Sequence, residues 1–237
     1  MQETAPVKYQ LNLKGVVIRN IVDFDPVTDQ LCPFNFTADN TELNPEILAD
    51  TAVFSDWINS QLAKTNARYG IGGYDEHRTI YARSSHFDAH ADAEPRRLHL
   101  GVDIWGPAGT KVYNFYTAVV HSFKNNNNFG DYGATIILEY NIKGQVFYVL
   151  YGHLSLASIA DLQVGQKIPK GTAFATFGTP EENGNWPPHL HFQVIRKLFD
   201  AVGDYPGVCP FTQKEPFLLN SPDPSVILKH TFKAALR

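Results

Sequence analysis

The sequence predicts a mainly β protein, with an antiparallel β-sheet or barrel-like sandwich core, an N-terminal helical extension and an irregular C-terminal wrap. Three observations predict it. From Leu98 onward, short apolar runs with period-two alternation follow one another at close spacing, separated by turn-forming clusters. The aromatic share is 13%, with Phe 16 and Tyr 11, residues that sit well on a pleated surface. Helical periodicity is concentrated in one stretch before residue 70. At 237 residues the chain can bury one sizeable core. We divide it into an extension over 1–77, a β core over 78–195 and a wrap over 196–237.

Residues 1–40 mix apolar alternation with Pro26 and Pro33 and predict one or two strands followed by a loop. Asn44-Pro45 reads as an N-cap followed by proline at the first helical position. From there to Arg68 the residues Ile47, Leu48, Val53, Phe54, Trp57, Ile58 and Leu62 recur at helical spacing, predicting one helix, or two broken near Asp50-Thr51, that ends at Gly70. The glycines that follow read as a turn before a strand at Thr79–Arg83. His86 and His90 have the spacing of a metal pair on a helix, yet their polar, alanine-rich surroundings and Pro95 read as an exposed loop with solvated or substrate-cleft histidines, and His77 as a surface residue.

The core strands are predicted at Leu98–Ile104, Lys111–Asn114, Ala118–Lys124, Ala134–Glu139, Gln145–Tyr151, Ala173–Phe177 and His189–Val194. After Val194 the prolines of DYPGVCPF and SPDPS demote the chain from central strands, and Val226 to Arg237 reads as a short closing strand or helix. His121 reads as a solvent-facing strand residue. Cys32 and Cys209 lack the CxxC spacing of a zinc ribbon and read as buried small apolar residues.

A net charge of -4 and a pI of 6.1 leave no basic footprint for nucleic acid. The first twenty residues lack the basic-then-apolar pattern of a secretory signal, and no apolar run approaches the roughly 18 residues of a membrane span. The expectation is a soluble, cytoplasmic protein, or a periplasmic or secreted one if the start of the chain has been trimmed.

The chemistry gathers in three short motifs. In HLHF, His189 and His191 lie two apart on a strand and point to one face. In HLGVD, His99 and Asp103 share strand parity, and YGHLS adds His153. A catalytic zinc takes three protein ligands and keeps one position for water, whereas a structural zinc is closed by four, usually including cysteine. A His, Asp, His set without suitable cysteines fits the catalytic case. Neutral histidines beside it can take a proton from water, stabilise a charged intermediate and protonate a leaving nitrogen. Spacing alone does not decide which of His189 and His191 is a ligand.

The blocks HLGVDIWGPAGTKVY, GDYGATIILEY, YVLYGHLS, VGQKIPKGTAFATFG and PPHLHFQV, in this order over roughly residues 96 to 195, resemble the LytM/lysostaphin-type zinc metallopeptidase family. The resemblance implies a duplicated hybrid motif fold and one zinc ion held by His99, Asp103 and His191. It implies that His153 and His189 are the catalytic pair. The activity it implies is hydrolysis of a peptide bond, with a peptidoglycan peptide as the family's usual substrate. The alternative is a cytoplasmic zinc hydrolase or metal-binding module of the same fold acting on a small amide-containing metabolite. Two departures stand out: the loop before HLH is the bulky, stiff TPEENGNWPP, and Gln193 replaces a common glutamate. Asn185, Trp186 and Tyr151 are expected to contact substrate, and Gln193, placed either behind the ligands or at the surface, to leave the metal little affected.

Overall fold

The computed structural model describes residues 11–88 and 93–232. His90 lies outside the described residues. The first strand, β1 (Leu31–Phe34), is followed by α1 (Pro45–Ala49) and α2 (Thr51–Thr65). Asn44 caps α1 by accepting the Ile47 N–H at 3.0 Å, with proline at the first position. Asp50 breaks the helix and caps α2, accepting from Ala52 N at 2.7 Å and Val53 N at 3.2 Å. Asn66, in the left-handed region at φ 49°, ends α2 four residues before the expected stop. The helical stretch is therefore two helices, the second of the two alternatives.

The expected glycine turn is a strand, β2 (Tyr69–Gly72), followed by β3 (Glu76–His77). Thr79–Arg83 is a 3-10 turn, not a strand. It supplies Ile80 and Tyr81 to a local core with α2 rather than pairing with a sheet. The predicted strand Leu98–Ile104 is divided into β4 (Leu98–His99) and β5 (Val102–Trp105). The break lets the two halves join different sheets.

The remaining strands are β6 (Lys111–Tyr113), β7 (Ala118–Asn126), β8 (Gly133–Ile142), β9 (Gln145–Leu154), β10 (Lys167–Ile168), β11 (Ala173–Thr176), β12 (His189–Ile195) and β13 (Val208–Cys209), with α3 (Ala157–Ala160) between β9 and β10. The wrap forms α4 (Lys214–Asn220) and α5 (Ser225–Phe232). Eight strands make one sheet in the order β1-β2-β5-β12-β9-β8-β7-β10, beside a two-stranded β11-β6 sheet and a three-stranded β13-β4-β3 sheet. Pairing is antiparallel except between β1 and β2. The large sheet is open, with β1 and β10 at its edges, so there is no closed barrel.

Alternation sorts the large sheet into two buried faces. One carries Val102, Ile104, Val149, Tyr151, Leu190 and Phe192 into the main core. On the other, Trp105 packs with Phe34, Phe36 and Phe54 under α2. The polar residues of β12 lie on that second face, where loops and helices shut them from solvent. Cys32 and Cys209 are both free and buried. Among the described residues, no helix is long and apolar enough to cross a membrane.

Candidate metal centre and cleft

β5, β12 and β9 lie side by side in the sheet, and their register brings the motifs together. His191 pairs with Asp103 on one side and with Gly152 on the other. His99 arrives from the neighbouring sheet across the bend at Leu100-Gly101. A β carbon on Gly101 would lie 2.7 Å from Cε1 of His191, so only glycine lets the imidazole lie against the bend.

Three donor atoms converge. His99 Nε2 lies 3.0 Å from His191 Nδ1 and 3.2 Å from Asp103 Oδ1, and His191 Nδ1 lies 3.1 Å from the same oxygen. All three residues are buried. The far side of each ring fixes its proton. His99 Nδ1–H donates to the Gly73 carbonyl at 2.8 Å, and a carbonyl only accepts. Gln193 Nε2 donates to the Pro206 carbonyl at 3.1 Å and to Ser221 Oγ at 2.9 Å. Its Oε1 therefore faces His191 and accepts from Nε2–H at 2.9 Å. Both imidazoles are thus left with a lone pair aimed at a carboxylate oxygen.

Three lone pairs crowded this closely repel unless a cation or a proton sits among them. Zinc bonds of about 2.0–2.2 Å at tetrahedral angles need donors roughly 3.3–3.5 Å apart, close to the triangle seen here. The donor set, two imidazoles and one carboxylate without cysteine, also suits zinc. Burial, and after it the nearby Arg78, lowers the pKa of His99 to about 4. Burial alone would raise the Asp103 carboxyl, but His99 and Arg78 beside it hold it well below the usual range. His99 and Asp103 are therefore in their metal-binding protonation states at neutral pH.

His153 and His189 stand next to this triangle, their ring centroids 4.0 Å apart. His153 reaches the site through a β-bulge: Ala134 pairs with Leu154 and Ile136 with Tyr151, so Gly152 and His153 together oppose the single residue Thr135. His153 takes φ 62° at this bulge. The loop Asn183–Pro188 holds both rings. His153 Nδ1–H donates to the Asn183 carbonyl at 2.8 Å, and His189 Nδ1–H to the Pro187 carbonyl at 2.7 Å. Each ring keeps Nε2 free of its proton. Burial lowers the pKa of His189 to about 4 and that of His153 well below its ordinary value, so both are proton acceptors at pH 7. Trp105 stacks on the other face of His189 at 3.9 Å and 17°.

These residues floor a cavity of about 350 Å³. Its walls include Tyr81 and Phe87 from the N-terminal segment, Tyr132, Trp186, and Asp204 and Tyr205 from the segment after β12. The expected substrate contacts divide. Trp186 is a wall residue, anchored by Nε1–H donating to the Gly130 carbonyl at 3.0 Å. Asn185 does not line the cavity; in the left-handed region at φ 66°, it offers its carbonyl to Thr51 Oγ at 2.9 Å instead. Tyr151 does not reach the cleft either. The bulge puts it on the opposite face from His153, fully buried, with its hydroxyl 2.6 Å from that of Tyr140.

Of the remaining residues, His86 takes the substrate-cleft alternative, lining the cavity with Nε2 3.7 Å from Asp131 Oδ1, and Gln193 lies behind His191, wholly buried and bonded to it, rather than at the surface. His77 is exposed. His121 is half-buried against Ser122 Oγ at 2.9 Å. The sequence reasoning also missed Arg78, Asn183 and the Gly73 carbonyl. Only the unusual glycine pair at 72–73 hinted at close packing there.

Residues 97–202, just under half of the chain, match the model of Peptidase family M23. No curated protein matches the sequence. Among solved structures, the catalytic domain of the antimicrobial peptidase lysostaphin from Staphylococcus simulans is 20% identical, with 74% of this chain and 97% of that one covered and a TM-score of 0.42. Lysostaphin itself is 25% identical over 58% of this chain and 46% of its own, at a TM-score of 0.37. A zinc containing peptidase from Vibrio cholerae is 26% identical over 46% and 30%, at 0.33. The chain thus spans less than half the length of the last two.

Proposed function

We propose that this chain, whose residues 97–202 form a peptidase family M23 domain, is a zinc-dependent hydrolase of peptide bonds. His99 Nε2, Asp103 Oδ1 and His191 Nδ1 would hold one ion, and His153 and His189 would be the catalytic residues. The single observation that carries this reading is the convergence of three unprotonated donors within 3.2 Å, each imidazole locked from behind by a carbonyl acceptor. Zinc in such a site lowers the pKa of bound water towards neutrality and polarises a carbonyl.

The residues supply the rest. His153 Nε2 and His189 Nε2 are aimed by Asn183 and Pro187 and kept neutral by burial, so one can accept the proton of the attacking water. That ring, charged by the proton it has taken, can then stabilise the developing oxyanion and pass the proton to the leaving nitrogen, while the second ring orients the water by accepting a hydrogen bond at its free Nε2. The wall residues Tyr81, Tyr132 and Trp186 limit water around the reacting bond. We take a peptide as substrate and the cross-linking peptides of peptidoglycan as its first candidate class.

The test combines metal analysis of the purified chain with cleavage of peptidoglycan peptides and a panel of small amides. One zinc per chain and cleavage of the peptides is the expected result. A chain that takes up no stoichiometric zinc overturns the reading. The cavity's enclosure by both flanking segments favours, as a second reading, a small amide substrate; hydrolysis confined to the small amides would select it.

A further inference from the structure

Arg78 is the second-largest fully buried side chain in the described structure, and it lies outside the segment that matches the peptidase family. Its guanidinium is spent on four partners. Nε donates to Glu76 Oε2 at 2.6 Å, Nη1 to Asp103 Oδ2 at 2.5 Å and to the Tyr81 hydroxyl at 3.2 Å, and Nη2 to the Gly73 carbonyl at 3.2 Å. Two of these partners belong to the metal centre. Asp103 is one of the three converging donors, and the Gly73 carbonyl also holds the proton of His99. Arg78 therefore fixes two of the three donors at once.

The charges decide what this arrangement does. Arg78 brings a positive charge to the carboxylate, but Glu76, bonded to the same guanidinium, cancels it. The trio keeps the net charge of a single carboxylate, so the effect of Arg78 on a bound cation is directional rather than electrostatic. Direction is where an arginine differs from a lysine: a planar fork with several donors in fixed geometry can hold four acceptors, and a single ammonium cannot.

We infer that Arg78 is a positioning residue that occupies Asp103 Oδ2, leaves only Oδ1 for the metal, and so keeps Asp103 a one-oxygen ligand. A carboxylate free to turn can bind through both oxygens and take the position that catalysis needs for water. The inference rests on the zinc reading above. The sequence makes room for the fork at Gly72, which pairs with Asp103 on the neighbouring strand. A β carbon there would meet Arg78 Nη2 at 2.7 Å. The two glycines at 72 and 73 thus have separate uses, one yielding space to the guanidinium and the other offering it a carbonyl.

Arg78→Lys and Gly72→Ala test this in the full chain. The readouts are zinc affinity by competition with a chromophoric chelator and the visible spectrum of the cobalt(II) form, which loses intensity and moves to shorter wavelength as coordination rises above four. Thermal melting monitors the fold. Both variants are expected to bind zinc about 10–100-fold more weakly than wild type and to show the spectral change. A folded Arg78→Lys protein with wild-type affinity and spectrum overturns the inference. If neither variant folds, X-ray absorption on the metal-loaded wild type decides: a one-oxygen carboxylate supports the inference and a two-oxygen carboxylate overturns it. Wild type that binds neither zinc nor cobalt would instead sink the metal reading itself.

Discussion

Leu190, Phe192 and Val194 on one face of β12, and His189, His191 and Gln193 on the other, are equally shut from solvent, at 0–3% exposure. The apolar face is held by non-directional burial shared among many neighbours, as where Phe192 meets Phe115 and Tyr151 edge to face. On the polar face each N–H has one assigned acceptor: Pro187 for His189, Gln193 for His191, Pro206 and Ser221 for Gln193. Losing a contact on the first face is graded, because neighbours relax. On the second, one change leaves a buried group unpaired or turns a ring.

Substitutions on each face test that contrast. The largest effect is expected at the triangle: Asp103→Asn or His191→Ala should remove both bound zinc and hydrolysis, read by metal analysis and peptide cleavage on the same sample. His153→Ala should keep zinc and lose about 10²–10⁴-fold in kcat. Loss of zinc there would show that ligand and proton acceptor have been exchanged. On the apolar face, Phe192→Ala should cost about 3–5 kcal/mol of unfolding free energy in urea, while the folded fraction keeps its zinc. Gln193→Ala should weaken zinc about 10–100-fold by freeing the His191 ring, with a smaller loss of stability than Phe192→Ala.

The smallest effect is in the pH dependence. His99 and His189 have folded pKa values near 4 against an ordinary value of 6.5. The unfolded chain therefore binds more protons between those two values, and stability must fall as pH drops from 6.5 towards 4, with no contribution from these groups above 6.5. Urea midpoints of the metal-free protein at about pH 7.5 and pH 5 should show this fall in wild type. The fall should be unchanged in Phe192→Ala. A midpoint that rises on acidification would reverse the assignment of the buried neutral histidines.

The alternating pattern His-Leu-His-Phe-Gln-Val was legible because strand parity is local, and it placed His189 and His191 on one face. Asn44, Pro45 and Asp50 marked their helices by side-chain chemistry that acts within three residues. Parity failed at two positions. The bend at Gly101 divides a run that reads as one strand, and the bulge at Gly152-His153 reverses the faces, so Tyr151 went to the core when spacing put it beside His153. Thr79–Arg83 has strand-like composition, but no strand edge is offered to it, and it folds as a turn under α2.

The sequence by itself determined that the chain is β-rich and singled out five residues, His99, Asp103, His153, His189 and His191, as the candidates for its chemistry. Each lies in a short motif whose periodicity or resemblance is visible locally. Tertiary structure decided what holds them. The Gly73 carbonyl, Arg78, Asn183, Pro206 and Ser221 act on histidines and a carboxylate from other elements of the chain. Hydrogen-bond direction between such partners exists only once the sheet has brought them within about 3 Å. That is also why the protonation of each ring, and with it the distinction between a metal ligand and a proton acceptor, is a property of the fold.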